Sequence, residues 1–182
     1  MGVPVLSGMT LESLLPMMLA AQGVMGGFDT LVNHEIIERL PYRPKAQREI
    51  ELHAVREAIY AGLFAGLAWF QWHGLAALAI AALLGAEVLV TAADGFVENR
   101  TRVLPQNERV LHVFLTLNLG LVIAVMVPIL SDWAARPTGL VRTDHGIVSW
   151  ILTAFAAASA AWSLRDLLAS RRLARARFSS FD

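Results

Sequence analysis

Residues 87–98 read EVLVTAADGFVE and lie inside an apolar segment that is long enough to cross a lipid bilayer. Three carboxylates interrupt this stretch, at Glu87, Asp94 and Glu98. Offsets of seven and eleven residues return to the same face of an α-helix, so the three acidic groups point in one direction. Because each charge in hydrocarbon costs at least about 2.5–3.5 kcal/mol, the spacing predicts a membrane helix whose acidic face lines the inside of a bundle.

The rest of the chain has a composition typical of a membrane protein. Of its 182 residues, 56% are hydrophobic and 16% are charged, whereas soluble domains carry about 25% charged residues. We expect an all-α membrane protein in the lipid bilayer, with five transmembrane helices at Leu14–Val32, Ala54–Trp72, Leu75–Val97, Val110–Leu130 and Ile147–Leu164. The lack of cysteine excludes thiolate metal sites, and the zero net charge gives no reason to expect a nucleic acid polymer as partner.

The distribution of basic residues predicts the orientation of the chain. Of the 15 lysines and arginines, only Arg136 and Arg142 lie on one predicted side of the membrane. By the positive-inside rule, the N-terminus is outside and the C-terminus is cytoplasmic. We expect a multi-pass protein of a bacterial-type inner membrane, in which residues 165–182 form a basic cytoplasmic tail.

The polar residues inside the apolar segments recur in the same order in two halves of the chain. The first half supplies Gln22, Asp29, Asn33, Glu49 and His53, and the second supplies Glu87, Asp94, Glu98, Glu108 and His112. We predict one transmembrane domain over residues 1–182, with hairpins 14–72 and 75–130 forming an antiparallel four-helix bundle with an approximate two-fold axis. The fifth helix, 147–164, packs on this bundle or on a second copy of the chain through small residues.

The repeat is imperfect at one position. Counted from the aspartate, Glu98 corresponds to Asn33, but counted back from the Leu-Pro pair it corresponds to His34. A local bulge in the helix would turn His34 inward. Both alternatives stay open on the sequence alone.

The clustered carboxylates and histidines predict a metal centre. Carboxylates packed together without cations repel one another and take up protons, whereas two divalent cations would neutralise them. The predicted ligands are Asp29, His34, Glu49, His53, Asp94, Glu98, Glu108 and His112, with Asn33 and Glu87 beside them. The competing interpretation is a set of ion pairs at the helix ends, in which Glu49 or Glu108 meets a nearby arginine.

This layout resembles the ferritin-like di-iron and di-manganese carboxylate bundles, which combine single carboxylates on two helices with Glu-x-x-His pairs on two others. Asp29 and Asp94, or Glu98, match the single carboxylates. Glu49 with His53, and Glu108 with His112, match the pairs, although three residues separate each Glu from its His. The resemblance concerns residues 22–116 and implies two divalent ions, which are zinc, iron or manganese.

Three functions fit such a centre. In a hydrolase, a metal-bridging hydroxide attacks the substrate and Glu98 moves the proton. Arginines at the predicted cytosolic mouth, among them Arg48 and Arg102, suit a small polar or anionic molecule, and favour deamination or amide hydrolysis of a nucleobase-like compound. The alternatives are a di-iron, oxygen-dependent oxidoreductase and a non-catalytic metal-binding protein.

Overall fold

The computed structural model describes residues 5–6 and 9–178, and these form a helical bundle. The five long helices are α1 (Leu11–Phe28), α2 (Gln47–Trp69), α3 (Ala77–Thr101), α4 (Gln106–Ala134) and α5 (Ile147–Phe178). The prediction of a helical chain with five long helices is confirmed. The first residues of the predicted domain (1–4 and 7–8) and the last four of the predicted tail (179–182) lie outside the described residues.

Three helical segments of the described chain are long and apolar enough to cross a membrane: Gly74–Thr101, Gln106–Ala134 and Ile147–Arg175. Their outward faces carry large apolar side chains, such as Leu89 and Leu117. These segments indicate a membrane protein. α1 and α2 are more polar over comparable lengths, because α1 runs into the acidic and histidine-bearing segment after Phe28 and α2 begins with several charged residues.

The chain continues from α1 into a π-helix over Asp29–Ile37. Its wider turn is visible where the amide of Glu38 donates to the carbonyl of Asn33, five residues earlier, at 2.8 Å. The extra residue per turn brings both Asn33 and His34 to the buried side. The predicted bulge is therefore present, and Asn33 and His34 are both buried.

Short segments connect the helices at two opposite ends of the bundle. At one end, called the connector end below, residues 38–46 join the π-helix to α2 through 3-10 turns (Leu40–Tyr42 and Pro44–Ala46), and residues 102–105 join α3 to α4. Each 3-10 turn has a proline at its start, where a missing amide hydrogen costs nothing.

At the opposite end, the chain forms strands. Val5–Leu6 pairs with Met9–Thr10, and Phe70–His73 pairs antiparallel with Gly139–Arg142. The predicted helix Ala54–Trp72 is therefore three residues too long, since α2 ends at Trp69. Gly74 closes the turn with a φ of 57°, and a Cβ there would lie 2.6 Å from the backbone of Thr138.

The apolar core fills the half of the bundle nearer these strands. Leu63, Ile80, Met126, Ile129 and Leu152 are fully buried in it. In the other half α5 packs along α2, where Ala169 and Leu173 contact the connector residue Leu40. The predicted end of the fifth helix at Leu164 is wrong, because this packing keeps α5 helical to Phe178.

Candidate metal centre

All eight predicted ligands meet near the connector end of the bundle. Seven of them are buried, and His112 is half-buried. Seven of the eight, all except Asp94, form two groups, in each of which one nitrogen or oxygen atom per residue lies within 4.8 Å of the others. The first cluster is Asp29, His34, Glu108 and His112, and the second cluster is Glu49, His53 and Glu98.

The π-helix and α4 build the first cluster. His112 Nε2 lies 3.0 Å from Asp29 Oδ2. His34 Nε2 lies 3.5 Å from the same oxygen and 3.4 Å from Glu108 Oε1. Glu108 and His112 share one face of α4 because they are four residues apart, whereas His34 reaches the group only through the π-helical turn.

Helices α2 and α3 build the second cluster. Glu49 and His53 lie one turn apart on α2, and Glu98 faces them from α3. Asp94, one turn before Glu98, contacts His53 Nε2 at 3.2 Å through its Oδ2 atom. The rings of His34 and His53 stack with centroids 4.3 Å apart, so the two clusters lie side by side.

Several buried ligand atoms have no hydrogen-bond partner in the described chain. They are His34 Nε2, Asp94 Oδ1 and Glu98 Oε1. An unsatisfied buried polar atom costs about 1–3 kcal/mol, so three in one site require compensation. Mixed imidazole and carboxylate donors suit divalent zinc, manganese or iron. The residues therefore fit cations, and the buried acidic and histidine groups can hold metal ions.

Arg102 lies inside the site and does not line an exposed rim. Its Nη2 atom is 2.7 Å from Glu49 and 2.5 Å from Glu108, and 3.6 Å from Glu98. Burial lowers the pKa of the guanidinium, but the hydrogen bonds that it donates to Glu108 and Glu49 outweigh this and hold the pKa above its usual value. Arg102 is thus a permanent positive charge shared by both clusters.

Arg56 is a second positive charge that the sequence analysis misses. Its Nη2 atom lies 3.0 Å from Asp94, and its Nε atom lies 3.5 Å from Glu87. The sequence could have indicated this contact, because Arg56 lies three residues after His53 and therefore on the same face of the helix. Arg48, by contrast, is exposed and pairs with Glu51 at 2.9 Å, away from the clusters.

Asn33 and Glu87, which were predicted to lie beside the ligands, form hydrogen bonds around the two clusters. Asn33 donates to Asp29 at 2.6 Å and accepts from Asn107 at 2.8 Å, which fixes the carboxylate of Asp29. Glu87 accepts from Thr91 at 3.1 Å. Asn33 and Glu87 therefore support the clusters and do not complete either ligand group.

A cavity of about 450 Å³ adjoins both clusters. Its polar wall includes Asp29, His34, His53, Asp94, Glu98 and His112. Its other walls are largely apolar, with Phe64, Leu119, Phe155 and Trp162 among them, and Tyr60 lies at the boundary. Further polar residues also line it, namely Gln22, Thr30, Arg56, Glu57, Glu87, Thr91, Thr116 and Ser159. The composition of the helices does not predict this cavity. Part of its wall is formed by glycines, which have no side chain to fill the space between the helices.

No family model matches the chain, and no curated protein or solved structure is significantly similar to it. The arrangement is that of a helical bundle whose buried acidic and histidine groups can hold metal ions. Its chemistry has to be argued from these residues.

Proposed function

We propose that this chain is a membrane-embedded di-metal enzyme in which one cation occupies each cluster. Two adjacent groups of nitrogen and oxygen ligands, joined by the stacked rings of His34 and His53 and open to a cavity, carry this proposal. We further propose that all five helices cross the membrane, with the connector end in the cytoplasm. The 13 basic residues predicted on that side support this orientation.

The two clusters also support the internal repeat. The repeat relates Asp29 to Asp94 and His112 to His53, and the two aspartate–histidine contacts measure 3.0 and 3.2 Å. Arg102 contacts Glu49 and Glu108, which correspond to each other, as expected for a group near a two-fold axis. Equivalent contacts at equivalent positions are the pattern of a duplicated hairpin.

Ion pairing alone is the competing explanation of the site. Arg102 and Arg56 supply two permanent positive charges among the described residues of this region, and His34, His53 and His112 add charge only when they are protonated. The two arginines face six buried carboxylates, which are Asp29, Glu49, Glu87, Asp94, Glu98 and Glu108. The ion pairs also leave one oxygen each of Asp94 and Glu98 without a hydrogen bond, since Arg102 approaches Glu98 Oε1 only to 3.6 Å. Two cations account for both the remaining charge and the unpaired atoms.

Hydrolysis is the reaction we propose first. Two adjacent divalent cations lower the pKa of a bound water and present hydroxide at neutral pH. Glu98 lines the cavity and its Oε1 atom makes no hydrogen bond in the described chain, so it is placed to accept and return a proton. Deamination and amide hydrolysis are the reaction types that need these two functions together.

An oxygen-dependent oxidation is the second candidate, and two observations favour it. The cavity walls beyond the clusters are largely apolar, which suits a substrate with C–H bonds to oxidise. Tyr60 lines the same cavity and is placed to exchange an electron with the site. A metal carrier is disfavoured, because fully buried apolar residues such as Leu63 and Met126 fill the half of the bundle that a cation would have to cross.

Metal analysis of the purified protein, together with its absorption spectrum, tests the proposal. Two zinc or manganese ions per chain support the hydrolase. Two iron ions with absorption bands that change on exposure to oxygen support the oxidase. A protein that retains no metal after supplementation with all three would contradict the di-metal proposal.

A further inference from the structure

The cavity extends from the clusters into a part of the bundle that metal binding does not require. Phe155, Ala158 and Trp162 of α5 line it, and they face Gly23, Gly26 and Gly27 of α1 together with Phe64. These residues add no charge, although Arg56, Glu57 and Glu87 also line the same cavity. A metal centre that handled only water and small ions would have no use for this apolar space.

Part of the apolar wall reaches the side of the bundle. Gly27 on α1 and Ala158 on α5 are exposed, and Leu31 of the π-helix is 48% exposed. A Cβ atom added to Gly26 or Gly27 would meet nothing within 4 Å. The gap between α1 and α5 is therefore open at Gly26 and Gly27, although Phe155 packs directly against Gly23. Ala158 and Trp162 lie within the apolar segment Ile147–Arg175.

The other end of the cavity is polar. Glu98 is 4% exposed and lines the cavity, and its Oε1 atom has no hydrogen-bond partner in the described chain. His34 is 7% exposed, and its Nε2 atom is likewise without a hydrogen bond. The space thus has an apolar side opening and a ligand-bearing end. Its volume of about 450 Å³ lies within the range of small-molecule sites.

We propose that the substrate is a membrane-soluble amphipathic molecule that enters sideways between α1 and α5. Its apolar body occupies the space beside Phe155 and Trp162, and its polar reactive group meets the two clusters. This substrate class rests on the proposed function, and it replaces the small polar molecule that the arginines suggested. Arg102 is occupied by Glu49 and Glu108, and Arg48 pairs with Glu51.

The apolar part of the inference can be tested without any metal. The probe is 8-bromo-octanol in nanodiscs, whose bromine quenches tryptophan fluorescence on contact. The signal of Trp162 is the difference between the wild type and Trp162→Phe. We expect this signal to be quenched in the wild type and protected in Gly27→Leu, which narrows the opening and whose Cβ atom would meet nothing within 4 Å. Gly85→Leu is the matched control, because Gly85 is an equally open helical glycine that does not line the cavity.

The polar part is tested on metal-loaded protein. Hydroxamates chelate metal ions, so acetohydroxamate and octanohydroxamate differ only in their apolar chain. We expect octanohydroxamate to bind about tenfold tighter or more, because its chain is buried in the cavity. Gly27→Leu should lose this preference while keeping its metal content and its affinity for acetohydroxamate. Gly85→Leu should keep the preference, which corrects for partition of the probe into lipid.

The outcomes separate the two proposals. Quenching of Trp162 that is equal in Gly27→Leu and Gly85→Leu, or equal binding of both hydroxamates, would overturn the substrate class while leaving the metal centre standing. Protein that binds no metal but still shows quenching sensitive to Gly27→Leu would overturn the metal centre and keep the apolar entry.

Discussion

Under the proposed repeat the two clusters occupy corresponding positions, but they are built by different means. The first cluster uses a π-helix to bring in His34, whereas the second uses a regular α-helix that carries Glu98. At the position that corresponds to Arg56 of α2, α4 has Leu115. The second cluster is therefore richer in carboxylates and has an additional arginine. The additional positive charge of Arg56, which contacts Asp94 and Glu87, accompanies the additional carboxylate of the second cluster.

The contrast also has a consequence for binding. The first cluster offers two imidazoles and two carboxylates. The second offers one imidazole and two carboxylates, with Asp94 beside them. Nitrogen-rich sites favour zinc or iron(II), and oxygen-rich sites favour manganese. We therefore expect the two clusters to differ in metal preference as well as in affinity.

Removing one histidine from each cluster should have the largest effect. We expect His53→Ala combined with His112→Ala to abolish metal retention, because each change leaves its cluster without the imidazole that contacts an aspartate. Elemental analysis measures the metal, and circular dichroism checks that the helices remain. His145→Ala, at the other end of the bundle, should retain both ions. Unchanged metal in the double variant would refute the ligand assignment.

Replacing His34 should affect the first cluster alone. We expect His34→Ala to reduce the content from two ions to one, with an affinity loss larger than the roughly 10–100-fold effect of removing an outer residue. His34→Glu should restore the second ion, because glutamate is the residue that the second cluster has at Glu98. Titration with manganese or zinc measures both affinities. Equal weakening of the two clusters would contradict the correspondence.

The role of His34 shows how far the sequence can predict this site. Asp29 and Asp94 each follow a polar residue by seven positions, and His53 and His112 each follow a glutamate by four. Both offsets return to one face of a helix, so periodicity identifies those four positions. His34 breaks the period, and only the offset against Leu40-Pro41 suggested a bulge. The π-helix depends on how the chain packs against α4 and α5, which no local pattern records.

Other features could not be predicted because they depend on contacts between distant segments. Arg102 follows Glu98 by four residues, but its pairing with Glu49 needs the relative placement of α2 and α3. The strand Phe70–His73 reads as an apolar helix until Gly139–Arg142 pairs with it. The continuation of α5 to Phe178 likewise depends on its packing against α2.

Arg102→Gln should reveal how much of the charge balance the arginine provides. Glu49 and Glu108 are fully buried, so we expect the metal-free protein to lose about 3–5 kcal/mol of unfolding free energy. Added manganese or zinc should recover part of this loss by replacing the guanidinium. Thermal unfolding in nanodiscs, with and without metal, measures the difference. Arg48→Gln should change stability by about 0–1 kcal/mol, since its ion pair is exposed. A loss in Arg102→Gln that metal does not reduce would contradict the proposal.

The smallest predicted effect concerns Asn33. Its amide holds Asp29 in place from outside the first cluster. We expect Asn33→Ala to weaken metal binding in that cluster about 10–100-fold, with both ions still bound at saturation. The same titration measures this. A complete loss of one ion would make Asn33 a ligand, and it would weaken the assignment of His34.

Anomalous diffraction from crystals grown with manganese or zinc tests the central claim most directly. The account predicts two anomalous peaks per chain. One lies among Asp29, His34, Glu108 and His112, and the other lies among Glu49, His53 and Glu98. A map without peaks at these groups, with Arg102 still bridging Glu49 and Glu108, would show that ion pairs alone account for the buried charges.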